Sequence, residues 1–115
     1  MVINPKDMKV EEIVHMRDGE GTVIKRTIAP AAPDMHLRLF ARFLIKKGCS
    51  IGPHSHNGEV EYYYILSGQG IVTEDDGERT VNPGDVVITG WGQGHSIRNE
   101  KDEDLEFIAV INTEK

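Results

Sequence analysis

The chain has 115 residues, of which 38% are hydrophobic and 28% charged, and a net charge of −6. That length and balance fit one soluble globular domain with one core, and the acidic excess argues against nucleic acid, whose phosphates require a basic stripe. No apolar run approaches the ~20 residues of a membrane span, the opening residues Met1 to Asp7 lack the basic-then-apolar order of a signal peptide, and one cysteine, Cys49, excludes an internal disulfide. A cytoplasmic protein is expected, with Cys49 as a small buried hydrophobe.

Taken in chain order, Lys6 to Met16 carries Met8, Ile13 and Met16 at near-helical spacing, while Val10 and Val14 suit a strand, and no assignment follows. Short β-rich runs then recur: Thr22–Ile28, Leu37–Ile45, Glu61–Ser67, Gly70–Glu74, Arg79–Val81, Asp85–Ile88, Ser96–Asn99 and Leu105–Ile111. Turn-forming clusters separate them, among them Asn57-Gly58, Asn82-Pro83-Gly84 and the hairpin signal Asp75-Asp76-Gly77. Many short strands at this spacing predict an all-β sandwich or barrel, in a single domain without repeats. The segments Val60–Leu66 and Leu105–Ile111 are apolar on both faces, which predicts central strands covered on both sides.

The chemistry concentrates in two stretches. His54 and His56 are two apart, so an extended chain turns both imidazoles to one face. A turn at Asn57-Gly58 reverses the chain, Glu61 begins the returning strand, and His95 follows the Gly-rich segment Gly90-Trp91-Gly92-Gln93-Gly94. Three imidazoles and one carboxylate make a mixed nitrogen and oxygen donor set suited to Mn, Fe, Co, Ni or Zn. Four protein ligands leave two places of an octahedral shell for substrate, water or dioxygen.

The first stretch, Gly48-x5-His54-x-His56-x4-Glu61-x6-Gly68, resembles the first motif of the cupin family at every defined position. The second, Gly84-x5-Gly90-x-Gly92-x2-His95-x3-Asn99, resembles the second motif, except that the family usually has proline where this chain has Gly90. The resemblance implies an all-β double-stranded β-helix, or jelly-roll barrel, holding one divalent transition metal through His54, His56, Glu61 and His95. Glu59 lies nearer the histidines, but the six residues between Glu61 and Gly68 match the motif, and the eight after Glu59 do not. Glu59 shares the strand parity of Glu61 and faces the site mouth on this reading.

What the resemblance implies for function is a small metalloenzyme of dioxygenase, decarboxylase or isomerase type, acting on a polar or anionic small molecule. The alternative is a non-catalytic small-molecule-binding or sensing module. Tyr63 and Glu59 are the candidates for an acid–base role, with no catalytic residue identified. Tyr63 and Ile65 should face inward with Glu61. Val60, Tyr62, Tyr64 and Leu66 then form an apolar outer stripe, which points to a homodimer or to coverage by the chain's own N-terminal ~20 residues. Arg38 and Arg42 are candidates for an anionic substrate, or ordinary surface arginines. His15 and His36 match no motif and are read as surface residues. Trp91 flanks the entrance or caps the core. Asn99 is expected to bond backbone near the loop that carries His95, and Gly48, Gly68, Gly84 and Gly92 to serve turns.

Overall fold

The computed structural model describes residues 1–115 and contains strands, turns and three short 3-10 segments, with no α-helix. Ten strands run in chain order: β1 (Val10–Val14), β2 (Thr22–Thr27), β3 (Leu37–Ile45), β4 (Ser50–Ser55), β5 (Glu59–Ser67), β6 (Gly70–Glu74), β7 (Gly77–Val81), β8 (Val86–Gly90), β9 (Gly94–Arg98) and β10 (Leu105–Thr113). They form a six-stranded sheet in the order β1-β2-β3-β10-β5-β8 and a four-stranded sheet in the order β4-β9-β6-β7, all neighbours antiparallel. Two antiparallel sheets face to face give the all-β architecture read from the sequence.

Alternation along each strand builds the core. The larger sheet contributes Val23, Ala41, Phe43, Ile45, Tyr63, Ile65, Val87, Leu105, Phe107 and Ala109, and the smaller one Ile51, Val72, Val81 and Ile97. Phe43 stacks on Phe107 with ring centroids 5.5 Å apart, and Tyr63 leans on Phe107 at 4.4 Å. Each such side chain contributes roughly 1.5–3 kcal/mol on burial. Cys49 is only half-buried, packed against the core's edge.

All eight predicted strands are present, with ends displaced by no more than two residues. Two further strands went unread. β1 is an edge strand paired only with β2, so its exposed Val10, Glu12 and Val14 show little core pattern. β4 contains Gly52 and Pro53, both poor strand formers. Its edge position tolerates the proline, beside a register shift between Ile51 and His54. Gly52 is needed for space: a Cβ there would lie 2.1 Å from the Arg17 carbonyl of the turn packed on β4.

β10 and β5 are interior strands as expected, but the expected cover on both faces is absent within one chain. Tyr62 and Tyr64 are 38% and 48% exposed, beside Val86 and Ile88 on β8. The N-terminal segment does not cover this stripe, because β1 pairs with β2 at the opposite edge of the sheet. Of the glycines in the two motifs, Gly48, Gly68, Gly84 and Gly92 take positive φ, as turn residues do, and Gly90 does not. No helix is long and apolar enough to cross a membrane.

Candidate metal centre

Four donors converge. Glu61 is the third residue of β5, on the six-stranded sheet. His54 and His95 are direct cross-strand partners on β4 and β9, and His56 follows the end of β4. His56 is fixed there by two backbone bonds to the turn ahead of His95: its N–H donates to the Gln93 carbonyl (3.1 Å), and Gly92 N–H donates to its own carbonyl (2.8 Å). His56, Glu61 and His95 are buried, and His54 is nearly so.

The donor atoms stand as ligands of one ion do. His95 Nε2 lies 3.0 Å from His54 Nε2, 3.1 Å from His56 Nε2 and 3.0 Å from Glu61 Oε1, and Glu61 Oε1 lies 2.9 Å from His56 Nε2. Adjacent octahedral ligands with bonds of ~2.1 Å are about 3.0 Å apart, whereas tetrahedral ones would be about 3.4 Å apart. His54 Nε2 and Glu61 Oε1 are wider, at 3.8 Å.

Hydrogen bonding on the outer side of each ring decides which nitrogen faces inward. His54 Nδ1 lies 2.8 Å from the Gly52 carbonyl, and His56 Nδ1 2.5 Å from Glu59 Oε2. Both partners accept, so both Nδ1 atoms carry hydrogen and both neutral rings turn an unprotonated Nε2 to the centre. Thr89 Oγ1 holds His95 Nδ1 at 2.8 Å and permits the same tautomer. Glu61 Oε1 is then a buried oxygen without a donor. Lone pairs meeting at such distances repel unless a proton or a cation stands among them, and these residues could hold a divalent metal.

Burial pushes the Glu61 carboxyl up, but in the metal-free chain, where the facing rings can carry protons, His54, His56 and His95 outweigh it and hold the group below the usual carboxylate range. Burial disfavours the imidazolium of His56, yet Glu61 and Glu59 on either side of the ring overcome this and raise its pKa. At His95 burial prevails and lowers it. Tyr63 stacks on His95 with centroids 4.9 Å apart, and its hydroxyl lies 3.4 Å from His95 Nε2. Burial first, then the Glu61 charge, push the Tyr63 phenol well up, so it stays protonated beside the centre.

Arg38 forks onto Glu59, with Nε–Oε1 at 2.8 Å and Nη2–Oε2 at 2.9 Å, and Arg42 pairs with Glu106. Neither arginine is unpaired. Asn99 bonds backbone, but at the other end of β9 from His95: its Nδ2 donates to the carbonyls of Ile45 and Glu103. Trp91 is 75% exposed and caps no core, and His15 and His36 are exposed. Thr89 and the Gly52 carbonyl escaped the sequence reading, although a lone threonine after Val86-Val87-Ile88 is a detectable polar signal. A cavity of about 670 Å³ beside Leu66, Gly68 and Asn82 touches none of the four donors, whereas one of about 320 Å³ is lined by His54 and His95.

Residues 41–111 match the family described as Cupin_2, the cupin domain. The oxalate-binding protein of Thermotoga maritima is 40% identical over 112 residues, which cover 96% of this chain and 93% of that protein. A crystal structure of a predicted oxalate decarboxylase from Thermotoga maritima superposes with TM-score 0.92 at 39% identity, covering 98% of this chain and 99% of that one. Two more distant likenesses concern fold alone. The polyketide cyclase RemF of Streptomyces resistomycificus gives TM-score 0.77 at 20% identity, covering 100% of this chain and 80% of that one. The Cupin_2 domain of an XRE family transcriptional regulator from Enterobacter cloacae gives 0.72 at 17%, covering 81% and 98%.

Proposed function

This chain belongs to the cupin family, and on that premise we propose that it binds a small dicarboxylate such as oxalate, in the cytoplasm, through a divalent metal held by His54, His56, Glu61 and His95. The observation that carries the reading is the acceptor-only cluster, in which Glu61 Oε1 has no donor and the outer partners turn imidazole nitrogens toward it. The 40%-identical relative named as an oxalate-binding protein supplies the ligand class. When bound, the metal supplies a Lewis acid for carboxylate oxygens. The chain itself supplies orientation: the Tyr63 hydroxyl, kept protonated next to His95, donates a hydrogen bond to the anion.

A second reading, metal-dependent decarboxylation, has one observation in its favour. Loss of carbon dioxide from such an acid leaves a carbon that must take up a proton, and Tyr63 is a protonated group at the centre. Glu59, the other candidate, is held on both sides by Arg38 and His56 and serves better as a support than as a proton carrier.

We also propose a homodimer through the outer face of β5 and β8. Tyr62, Tyr64, Val86 and Ile88 are contiguous there, and leaving them in water costs ~25 cal/mol per Å² of apolar area.

Elemental analysis of protein purified without added metal, then calorimetric titration of metal-loaded protein with oxalate, tests the main reading. Stoichiometric metal and saturable oxalate binding, both lost in His95→Ala, are expected. Absence of oxalate binding by the loaded protein would defeat the ligand assignment, and formate release would establish the second reading.

A further inference from the structure

Of the three histidines, His56 has a carboxylate behind it. His54 leans on a backbone carbonyl and His95 on the Thr89 hydroxyl, whereas His56 Nδ1 meets Glu59 Oε2 at 2.5 Å. Glu59 is in turn gripped by both edges of the Arg38 guanidinium, and its side chain is only 12% exposed. Arg38 comes from β3, and Glu59 opens β5, paired with Thr113 of β10. Two strands, β3 and β5, therefore supply the groups behind one imidazole. A carboxylate accepting from the outer N–H of a metal-binding histidine fixes the ring's rotation and tautomer and makes its inner nitrogen a stronger donor. A bidentate arginine keeps that carboxylate ionised and in place.

The departure at Gly90 belongs to the same arrangement. Gly90 pairs with Val60 on β5, and a Cβ there would lie 2.7 Å from the Glu59 carbonyl oxygen and 2.9 Å from Val60 Cα. Those are backbone atoms, so a side chain at 90 must displace the start of β5, the segment that carries Glu59. Gly90 also accepts from the Gln93 N–H at 3.0 Å, closing a turn in which Trp91 and Gly92 both take positive φ, as in a type I′ turn. Gln93 and Gly92 of that turn hold the His56 backbone. One tight turn thus fixes His56 from its main chain and leaves room for Glu59 at its side chain.

We propose that Arg38 and Glu59 are positioning residues that lock His56 with its proton on Nδ1 and so set how tightly the metal is held, and that glycine at 90 is what admits Glu59 to this role. The inference rests on the metal reading above and deepens it. Competition titrations of Mn²⁺ and Zn²⁺ against a chromophoric chelator test it on wild type, Glu59→Gln, Glu59→Leu, Arg38→Gln, Gly90→Ala and the Glu59→Gln/Gly90→Ala double variant. Glu59→Gln should weaken metal binding about 10- to 100-fold, and Glu59→Leu, which cannot accept from Nδ1, should weaken it further. Arg38→Gln should lose less, in the same direction. Gly90→Ala should weaken binding in the wild-type background and add little in Glu59→Gln, because both act through one carboxylate.

Ring ¹⁵N spectra of the zinc-loaded proteins add a readout that a merely structural role would leave unmoved. The His56 Nδ1–H signal should be protected from exchange in wild type and lose that protection in Glu59→Leu. Wild-type metal affinity in Glu59→Leu, with an unchanged His56 spectrum, would overturn the proposal while sparing the metal site. Failure of wild type to bind either metal would instead remove the site reading on which it stands.

Discussion

Replacing Tyr63 with phenylalanine removes one oxygen and leaves the ring, which separates what the hydroxyl does for folding from what it does for a ligand. The ring's packing on Phe107 and His95 survives the change. The hydroxyl's contacts to protein are the 3.4 Å approach to His95 Nε2, weak at that distance, and the neighbouring Glu61 carboxylate. Their loss should cost about 1–2 kcal/mol of stability, several degrees in melting temperature for a chain this size. A hydrogen bond to a charged carboxylate contributes about 1.5–3 kcal/mol, so oxalate affinity of the metal-loaded variant should fall about 10- to 150-fold. Calorimetric titration with oxalate, paired with thermal melts of metal-free and loaded protein, measures both quantities. Unchanged oxalate affinity in a folded, metal-loaded Tyr63→Phe would refute the assignment of the hydroxyl to the ligand. A stability loss above 3 kcal/mol would show instead that the oxygen's work is structural.

Metal affinity should rise with pH through the neutral range. The His56 pKa is raised in the folded metal-free chain, so its proton's stabilising effect is full below the ordinary value of about 6.5, fades as pH climbs through the raised value, and competes with metal throughout. Metal titrations across that range check this, and constant affinity from pH 5 to 8 would exclude it. Chelation of the metal should lower the thermal midpoint, with ~2.7 kcal/mol lost when the free metal had stood at a hundred times its dissociation constant. Tyr64→Asp, near the middle of the outer stripe, should shift sedimentation from dimer to monomer without loss of bound metal, since Tyr64 points away from Glu61. Phe107→Ala should cost about 3–5 kcal/mol in denaturant unfolding, because Phe107 is fully buried between Phe43 and Tyr63.

The four donors were legible because a strand period of two, a turn and a fixed offset to a glycine leave few ways to place His54, His56, Glu61 and His95. Strand parity likewise placed Tyr63 and Ile65 inside and Tyr62 and Tyr64 outside. The supports of the site were not legible. Gly52 acts through its carbonyl, which no residue type advertises, and Arg38 meets Glu59 across 21 positions only because β3, β10 and β5 lie side by side. β4 was hidden for a related reason: its glycine and proline answer to a neighbouring turn and an edge position, and both are tertiary facts.

The donors also belong to different sheets: Glu61 to the six-stranded one, His54 and His95 to the other. A cation shared among them is a rivet across the seam, and it ties residues 41 positions apart in the chain, His54 and His95. β4 has most to gain from that rivet, as an edge strand with a broken register and a proline. In the metal-free protein β4 should open ahead of the interior strands, its amide hydrogens exchanging before those of β10, which is flanked on both sides. Loading the centre would raise protection along β4 while leaving β10 unchanged, so the same ion that receives a ligand would also govern how readily the mouth of the sandwich parts to admit one.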